Sequence, residues 1–206
     1  MTLFEYDQTI RDSVGAAHLC GVDEAGRGPL AGPVYAAAVI LPPGVQLEGL
    51  NDSKKLSENK REELSRLIQE TALHWHISSA SVQEIEELNI LGATLLAMQR
   101  AVNGIDLTSV HVLVDGDKLP NIEHPASALL KGDATSACIA AASILAKVAR
   151  DDYMLRLAEQ YPAYGFEKHK GYGTKLHYQA LDEHGPLPMI HRERFLEKWS
   201  KSRDKT

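Results

Sequence analysis

Short apolar runs bounded by glycine, proline or polar residues recur along the chain and predict buried β-strands. Runs of this kind that contain β-branched residues favour strands over buried helices. The first two, at about 18–24 and about 33–41, are joined by a glycine-rich turn and predict a strand pair. Three further strands are predicted near 73–82, 109–115 and 126–131.

Residues at helical spacing fill the intervals between these strands. Ser57 is a suitable N-cap for the first predicted helix, which runs to about Thr71. The other predicted helices lie near 83–88, 91–103, 135–159, 174–184 and 192–200. Strands that alternate with helices after an initial strand pair indicate an α/β fold with a mixed sheet and a C-terminal helical portion.

The composition suits one domain of ordinary core size, since 44% of the 206 residues are hydrophobic. No apolar stretch approaches the ~20 residues that span a bilayer, and the N-terminus lacks the features of a signal peptide. Cys20 and Cys138 lie in apolar contexts, which predicts two buried thiols in a reducing compartment. We therefore expect a cytoplasmic protein with no membrane partner.

Charge is distributed unevenly along the chain. The net charge of −6 does not by itself indicate a nucleic-acid binder. Residues 165–206, however, contain nine Lys and Arg against six Asp and Glu, together with four histidines. This asymmetry suits a basic rim beside an acidic centre, and it suits a solvated tail that binds nothing just as well.

Four acidic residues lie at the ends of apolar runs, where a solvated surface is not expected: Asp23, Glu24, Asp115 and Asp133. A carboxylate in such a position is costly to desolvate unless it is hydrogen-bonded, paired or bound to a cation. Because three segments repeat the arrangement, we predict one cluster that binds divalent metal. Magnesium favours such oxygen ligands, and no His/Cys pattern typical of zinc is evident.

Two of these assignments have alternatives. Side chains alternate along a strand, so Asp23 and Glu24 reach one metal only if the backbone bends. Gly21 and Gly26 would permit such a bend. Asp133 shortly precedes the long Ala-rich helix and is, taken alone, better explained as the cap of that helix.

The loop at 25–32, Ala-Gly-Arg-Gly-Pro-Leu-Ala-Gly, follows the first acidic pair directly. Two glycines flank Arg27, so backbone N–H groups can approach an anion while the guanidinium binds it. The spacing is not that of a dinucleotide-binding loop, since Gly32 falls one residue late, nor that of a Walker loop. Metal ligands beside a grip for phosphate or sugar are what a nuclease needs.

Six short motifs occur along the chain in the order in which a known enzyme family has them. They lie at 23–34, 52–57, 114–116, 131–133, 141–151 and 169–174. Together they resemble the bacterial ribonuclease HII family, and the resemblance covers roughly residues 18–195. It implies a ribonuclease H-like fold: a central five-stranded mixed sheet flanked by helices, with a C-terminal helical subdomain. We expect a catalytic core at 1–160 and a C-terminal helical portion of the same domain, with a tyrosine loop, at 161–206.

The resemblance also implies a reaction and its ligands. It implies hydrolysis of RNA in RNA–DNA hybrids and incision 5′ to ribonucleotides embedded in duplex DNA. By motif, Asp23, Glu24, Asp115 and Asp133 are implied to be the catalytic carboxylates, which replaces the cap interpretation of Asp133. They would hold Mg²⁺ or Mn²⁺, and two such ions would promote cleavage to 3′-hydroxyl and 5′-phosphate ends. A monomer is our default expectation.

The resemblance extends to substrate contacts. Gly26, Arg27 and Gly28 match the loop that grips the ribonucleotide, and Tyr172 matches a tyrosine that stacks at the RNA–DNA junction. Backbone groups near a 2′-hydroxyl and an aromatic face beside it suit that task. Without the motif, Tyr172 would be interpreted as a packed surface aromatic.

Nearby lysines are candidates for phosphate contacts, although exposed lysines are usually only solvated. They are Lys54, Lys55, Lys168 and Lys170.

Two rival functions remain. Residues 112–117 suit a haloacid dehalogenase-type phosphatase, but that family has Thr or Val where this chain has Leu119, and it leaves the loop after Asp23 and Glu24 unexplained. Residues 115–117 alone would also suit a simple turn. A catalytically silent hybrid-binding module is the second rival, and the intact acidic set argues against it because free carboxylates repel phosphate.

Overall fold

The computed structural model describes residues 1–203, apart from the side chains at 198, 202 and 203, and it contains the predicted five-stranded mixed sheet. The strands are β1 (His18–Ala25), β2 (Val34–Ile40), β3 (His74–Ala80), β4 (Val110–Asp115) and β5 (Ala126–Leu129). Their order in the sheet is β3-β2-β1-β4-β5. The β3-β2-β1 half is antiparallel, and β4 and β5 run parallel to β1. The expected fold class is confirmed.

Helices cover both faces of the sheet. They are α1 (Leu3–Val14), α2 (Glu58–Thr71), α3 (Val82–Asn103), α4 (Ala137–Gln160), α5 (Phe166–His169), α6 (Lys175–His184) and α7 (Glu193–Arg203). Short 3₁₀ turns lie at Ser53–Lys55, Gly132–Ala134 and Pro162–Tyr164. None of the helices in the described residues is long and apolar enough to cross a membrane.

One helix, α1, was not predicted, although Thr2 and Glu5 form a reciprocal capping box at its start. The range given for α3 contains the two helices expected near 83–88 and 91–103, which confirms that prediction. Helix α3 is interrupted at Asn89, which has a φ of 59° and whose side chain accepts hydrogen bonds from the N–H groups of Leu91 and Gly92. The amide thus restarts the helix as an internal cap.

Helix α4 lies directly against β1. A Cβ on Gly21 would lie 2.1 Å from the carbonyl carbon of Cys138, so only glycine allows this approach. The small residues of α4, such as Ala141, pack with Ala37 on this face of the sheet, and α3 packs on the opposite face, where Val22 is buried. The contact fixes the start of α4 against the middle of β1.

The cap of α4 is Ser136, whose hydroxyl accepts a hydrogen bond from the N–H of Ile139. The interpretation of Asp133 as that cap is therefore wrong, because the helix begins later than the predicted Thr135. Asp133 lies instead in the 3₁₀ turn that joins β5 to α4.

The C-terminal helices pack on the far end of α4 and return to the loop after β1. The N–H of Gly32 donates to the carbonyl of Ile190, and the N–H of Arg192 donates to that of Leu30. A short backbone bridge at Ala31 lies between them. The last three residues of the expected 161–206 portion lie outside the described residues.

Candidate active site

Three carboxylates meet at one end of the sheet. Asp23 and Glu24 lie two residues and one residue before the end of β1, and Asp115 is the final residue of β4. The two strands are parallel neighbours in which Val22 pairs with Val114, so their following residues lie side by side. One oxygen from each of the three carboxylates lies within 4.8 Å of the others. The structure thus brings together three of the four predicted ligands.

Strand β1 reaches this arrangement without losing its pairing. Asp23 pairs with Ala37 and Glu24 with Ala36 of β2, in unbroken register. The chain turns only afterwards, at Gly26, which has a φ of 101°. Of the two glycines expected to permit a bend, only Gly26 lies at the turn. Gly21 instead allows α4 to pack closely against β1.

Burial and repulsion raise the pKa of each carboxyl. Asp23 is 4% exposed, and burial, followed by the charges of Glu24 and Asp115, holds its pKa well above the ordinary value. Burial likewise raises the pKa of Glu24, although Arg27 opposes the shift. Burial raises the pKa of Asp115, against a hydrogen bond from the N–H of Gly132 at 2.6 Å. An all-oxygen donor set that is this costly to ionise suits a divalent cation such as Mg²⁺ or Mn²⁺.

Asp133 lies beside this group, outside the 4.8 Å cluster. Its side chain is buried, and its Oδ2 lies 3.5 Å from the Nζ of Lys54. Its charge contributes to the raised pKa of Asp115, so the two carboxylates are close enough to interact. Asp133 is therefore placed to join the ligands, with Lys54 as its present counter-ion.

Ser143 of α4 is a site residue that the sequence analysis missed. Its hydroxyl hydrogen-bonds to Asp23, which lowers the pKa of that carboxyl, and lies 2.8 Å from the hydroxyl of Ser53. A lone hydroxyl in the apolar run of residues 137–146 is a signal that could have identified it. Ser143 links the helix to the carboxylate that is buried deepest.

The glycine loop at 26–28 is held from behind by Arg192. This guanidinium is fully buried and donates to the carbonyls of Gly26 at 2.7 Å, Arg27 at 3.0 Å and Gly32 at 2.9 Å. Its carbonyl partners are thereby fixed on the interior side. Within residues 1–203, the N–H groups of Arg27 and Gly28 donate no hydrogen bond, which leaves them available to a ligand.

The side chain of Arg27 points back toward the carboxylates. Its Nη1 lies 3.3 Å from the Oε1 of Glu24, and about half of the side chain is exposed. The predicted anion-binding guanidinium is therefore beside the cluster and accessible.

Tyr172 faces the glycine loop across a cleft. Its ring atom Cε1 lies 3.7 Å from the position that a Cβ on Gly28 would take, and 44% of the residue is exposed. The guanidinium carbon of buried Arg150 lies 5.8 Å from the ring centroid. The same cleft is lined by the three carboxylates, the glycine loop, Lys54 and Tyr172. Tyr172 is therefore partly exposed at the cleft and lies next to the glycine loop.

The other predicted lysines do not line the cleft. Lys55 is exposed in a 3₁₀ turn, and Lys168 is exposed with its Nζ 4.0 Å from Glu167. The Nζ of Lys170 lies 3.7 Å from the Oε1 of Glu58 and donates a hydrogen bond to the carbonyl oxygen of Glu167. The backbone carbonyl of Lys170 accepts a hydrogen bond from the guanidinium of Arg150. The structure therefore separates Lys54 from these three.

Sequence comparison identifies relatives along most of the chain. The sequence model of the family described as Ribonuclease HII matches residues 20–198. A ribonuclease HII from Idiomarina loihiensis is 58% identical over 177 residues, which cover 86% of this chain and 94% of that protein. A ribonuclease HII from Dechloromonas aromatica is 56% identical over 86% of this chain and 90% of its own length.

A solved structure agrees with these sequence matches. The ribonuclease H2 of Pyrococcus horikoshii OT3 superimposes with a TM-score of 0.75 at 26% sequence identity, covering 92% of this chain and all of that chain.

The phosphatase-type alternative receives no support from the geometry, since Asp117 is exposed and does not belong to the carboxylate cluster.

Proposed function

The chain belongs to the ribonuclease HII family, and we propose on that premise that it is a metal-dependent endoribonuclease. Its substrates are RNA within RNA–DNA hybrids and ribonucleotides embedded in duplex DNA, which it cuts on the 5′ side. Hydrolysis joins a water oxygen to phosphorus and breaks the bond to the 3′ oxygen, which gives 3′-hydroxyl and 5′-phosphate ends. Removal of embedded ribonucleotides would make it an excision-repair enzyme.

One observation carries the proposal: the three carboxylates, the glycine loop and Tyr172 line a single cleft. A nuclease that selects ribonucleotides needs ligands for cations at the scissile phosphate and groups that read the 2′-hydroxyl nearby. Three clustered carboxylates, one buried and two partly buried, would repel the phosphate backbone and therefore argue against a module that only binds the hybrid.

Asp23, Glu24 and Asp115 would hold the cations, and Asp133 would join them once Lys54 moves away. When bound there, two Mg²⁺ or Mn²⁺ ions would supply positive charge to activate water and to stabilise the leaving oxygen. Ser143 orients the Asp23 carboxylate through its hydroxyl. The N–H of Gly132 orients that of Asp115 in the same way.

The glycine loop and Tyr172 supply selectivity. The free N–H groups of Arg27 and Gly28 donate to the 2′-hydroxyl and the adjacent phosphate, while Arg192 keeps the loop carbonyls out of the cleft. The ring of Tyr172 stacks on the nucleotide at the RNA–DNA junction and fixes the position of its sugar against the glycine loop. Lys54, Lys55, Lys168 and Lys170 contact phosphates further along the duplex.

We propose a monomeric enzyme in the cytoplasm, with hybrid or ribonucleotide-containing duplex as its partner and no membrane contact. We also retain the division into a catalytic core at 1–160 and a C-terminal helical portion at 161–206.

The proposal is tested by incubating the protein and Mg²⁺ with duplex DNA that contains one ribonucleotide, and then mapping both ends of the cut. We expect one incision 5′ to the ribonucleotide, with no cleavage of all-DNA duplex. Asp115→Asn should abolish cleavage, and Asp117→Asn, an exposed neighbour two residues away, should retain it. Cleavage of all-DNA duplex, or full activity in Asp115→Asn, would refute the proposal.

A further inference from the structure

Three buried histidines lie behind the tyrosine loop and outside the cleft. They are His169, His177 and His191, and none is more than 6% exposed. A buried imidazole is costly unless both ring nitrogens have hydrogen-bond partners, so those partners indicate what the rings do.

The rings of His191 and His177 form a chain that ends on the backbone of Tyr172. The N–H of Leu187 lies 2.9 Å from the Nδ1 of His191. The Nε2 atoms of His191 and His177 are 3.0 Å apart. The Nδ1 of His177 then lies 3.0 Å from the carbonyl oxygen of Tyr172. We refer to His191 and His177 as the histidine relay.

The hydrogen bonds at the two ends of the histidine relay determine the tautomer of each ring, and the two assignments agree. The N–H of Leu187 can only donate, so the Nδ1 of His191 is unprotonated and its Nε2 carries the proton. The carbonyl of Tyr172 can only accept, so the Nδ1 of His177 carries a proton and its Nε2 is free to accept from His191. A second proton on either ring would place two donors face to face, so both rings are neutral.

The third histidine supports the relay from the side. The ring of His169 stacks on that of His177 with centroids 4.4 Å apart. Its Nδ1 accepts from the N–H of Gly171 at 3.2 Å, and its Nε2 lies 2.9 Å from the carbonyl of Tyr164. The residue before Tyr172 is therefore held by one ring while the carbonyl of Tyr172 is held by the next.

The relay joins the two loops that form the walls of the cleft. The backbone of His191 pairs with Ala31, which follows the glycine loop. Its ring reaches Tyr172 through His177, and the ring of Tyr172 faces Gly28. The spacing between the tyrosine and the glycine loop is thus set through two imidazoles instead of by contact with substrate.

We propose that His177 and His191 are positioning residues that hold Tyr172 at a fixed separation from Gly28 and thereby determine selectivity for an isolated ribonucleotide. The inference rests on the proposed function, because it assigns the relay to the substrate wall of the same site. Neither histidine touches the reacting atoms, so the relay should affect discrimination among substrates more than the hydrolytic step.

Two substitutions of His177 and one control substitution test this proposal. His177→Phe keeps an aromatic ring for stacking on His169 and removes both hydrogen bonds. His177→Asn retains a donor close to the position of Nδ1. His184→Phe is the matched control, since this histidine belongs to the same helix but is partly exposed and its ring lies outside the relay.

The measured quantity is the ratio of kcat/KM on duplex with one ribonucleotide to kcat/KM on RNA–DNA hybrid, in Mg²⁺. We expect His177→Phe to lower this ratio about tenfold, the effect of losing a buried hydrogen bond. We expect His177→Asn to recover part of it and His184→Phe to match the wild type. A folded His177→Phe with the wild-type ratio, or equal losses in the Phe and Asn variants, would overturn the inference.

Ring ¹⁵N chemical shifts of the wild-type protein at pH 7 give a test that needs no variant to fold. The structure assigns the Nδ1–H tautomer to His177 and the Nε2–H tautomer to His191. Any other tautomer, or a cationic ring, would overturn the inference. A wild-type protein that shows these tautomers but never cuts at an embedded ribonucleotide would instead refute the proposed function.

Discussion

Asp23, near the end of β1, and Asp115, the last residue of its parallel neighbour β4, have carboxylate oxygens within 4.8 Å of each other. Such proximity is unfavourable without a cation, since the charge of Asp115 is among the causes that raise the pKa of Asp23. Repulsion within the cluster therefore lowers the free energy of unfolding of the metal-free protein, and bound cations should raise it again.

Asp115→Asn should uncouple stability from metal. A ligand at 100 times its Kd stabilises the folded state by about 2.7 kcal/mol, so Mg²⁺ should raise the Tm of the wild type by several degrees. Asp115→Asn should lose that increase, and its metal-free Tm should equal or exceed that of the wild type because one repelling charge is gone. Differential scanning calorimetry with and without Mg²⁺ measures both, and Asp117→Asn should behave as the wild type. An undiminished Mg²⁺ effect in Asp115→Asn would exclude it as a ligand.

Gly21→Ala should destabilise the fold while Gly28→Ala affects only the cleft. A Cβ at Gly21 would collide with the backbone of Cys138, and overpacking of this kind costs about 1–3 kcal/mol. At Gly28 a methyl group meets only the ring of Tyr172, at 3.7 Å. Urea unfolding should therefore report a loss for Gly21→Ala alone, and Gly28→Ala should keep its stability but cut embedded ribonucleotides more slowly. Equal stability of Gly21→Ala and wild type would contradict the packing of α4 on β1.

Arg192→Lys should loosen the glycine loop. An ammonium cannot reproduce the planar fork that donates to the carbonyls of Gly26, Arg27 and Gly32, although both side chains are cationic. Loss of one or two of these bonds should cost about 1–3 kcal/mol of unfolding free energy and lower kcat/KM on ribonucleotide-containing duplex. The matched control is Arg194→Lys, whose side chain is exposed and lies 3.6 Å from Glu86. A wild-type kcat/KM in Arg192→Lys would show that the loop needs no such support.

The histidine relay predicts a pH dependence of stability. Burial lowers the pKa of both His177 and His191 to about 4 in the folded protein. Because these groups titrate near 6.5 when unfolded, the unfolded chain binds more protons as pH falls, and the contribution that is complete above about 6.5 is lost toward 4. The Tm difference between wild type and His177→Phe should therefore be smaller at pH 5 than at pH 7.5. A constant difference would contradict the neutral relay.

Much of the fold followed from local patterns. All five strands were predicted because glycine and polar residues bound the apolar runs, as at Asp115. Helix α1 was missed although Thr2 and Glu5 form a capping box, because that signal lies at the extreme N-terminus. The cap at Ser136 was missed because Asp133 and Ser136 are both good capping residues, and only tertiary packing decides between them.

The site was predictable where chemistry is unusual and unpredictable where it depends on long-range contacts. Buried carboxylates such as Asp23 carry a visible cost, so their strand-end positions pointed to metal. Arg192 gave no such signal, because its partner Gly26 lies 166 residues away in the sequence. His191 gave none because its ring meets that of His177, 14 residues away, only through the folding of the chain between them. The fourth predicted ligand, Asp133, shares the strand-end pattern, but only the family resemblance favoured it as a ligand over a helix cap. The structure places it beside the cluster and next to Lys54.

The most direct test of the metal assignment is a crystal of the protein grown with Mn²⁺ and measured for anomalous scattering. The account predicts an anomalous peak within bonding distance of the carboxylates of Asp23, Glu24 and Asp115, and its loss in Asp115→Asn. A well-ordered cluster with no peak, or a peak held elsewhere in the molecule, would contradict it.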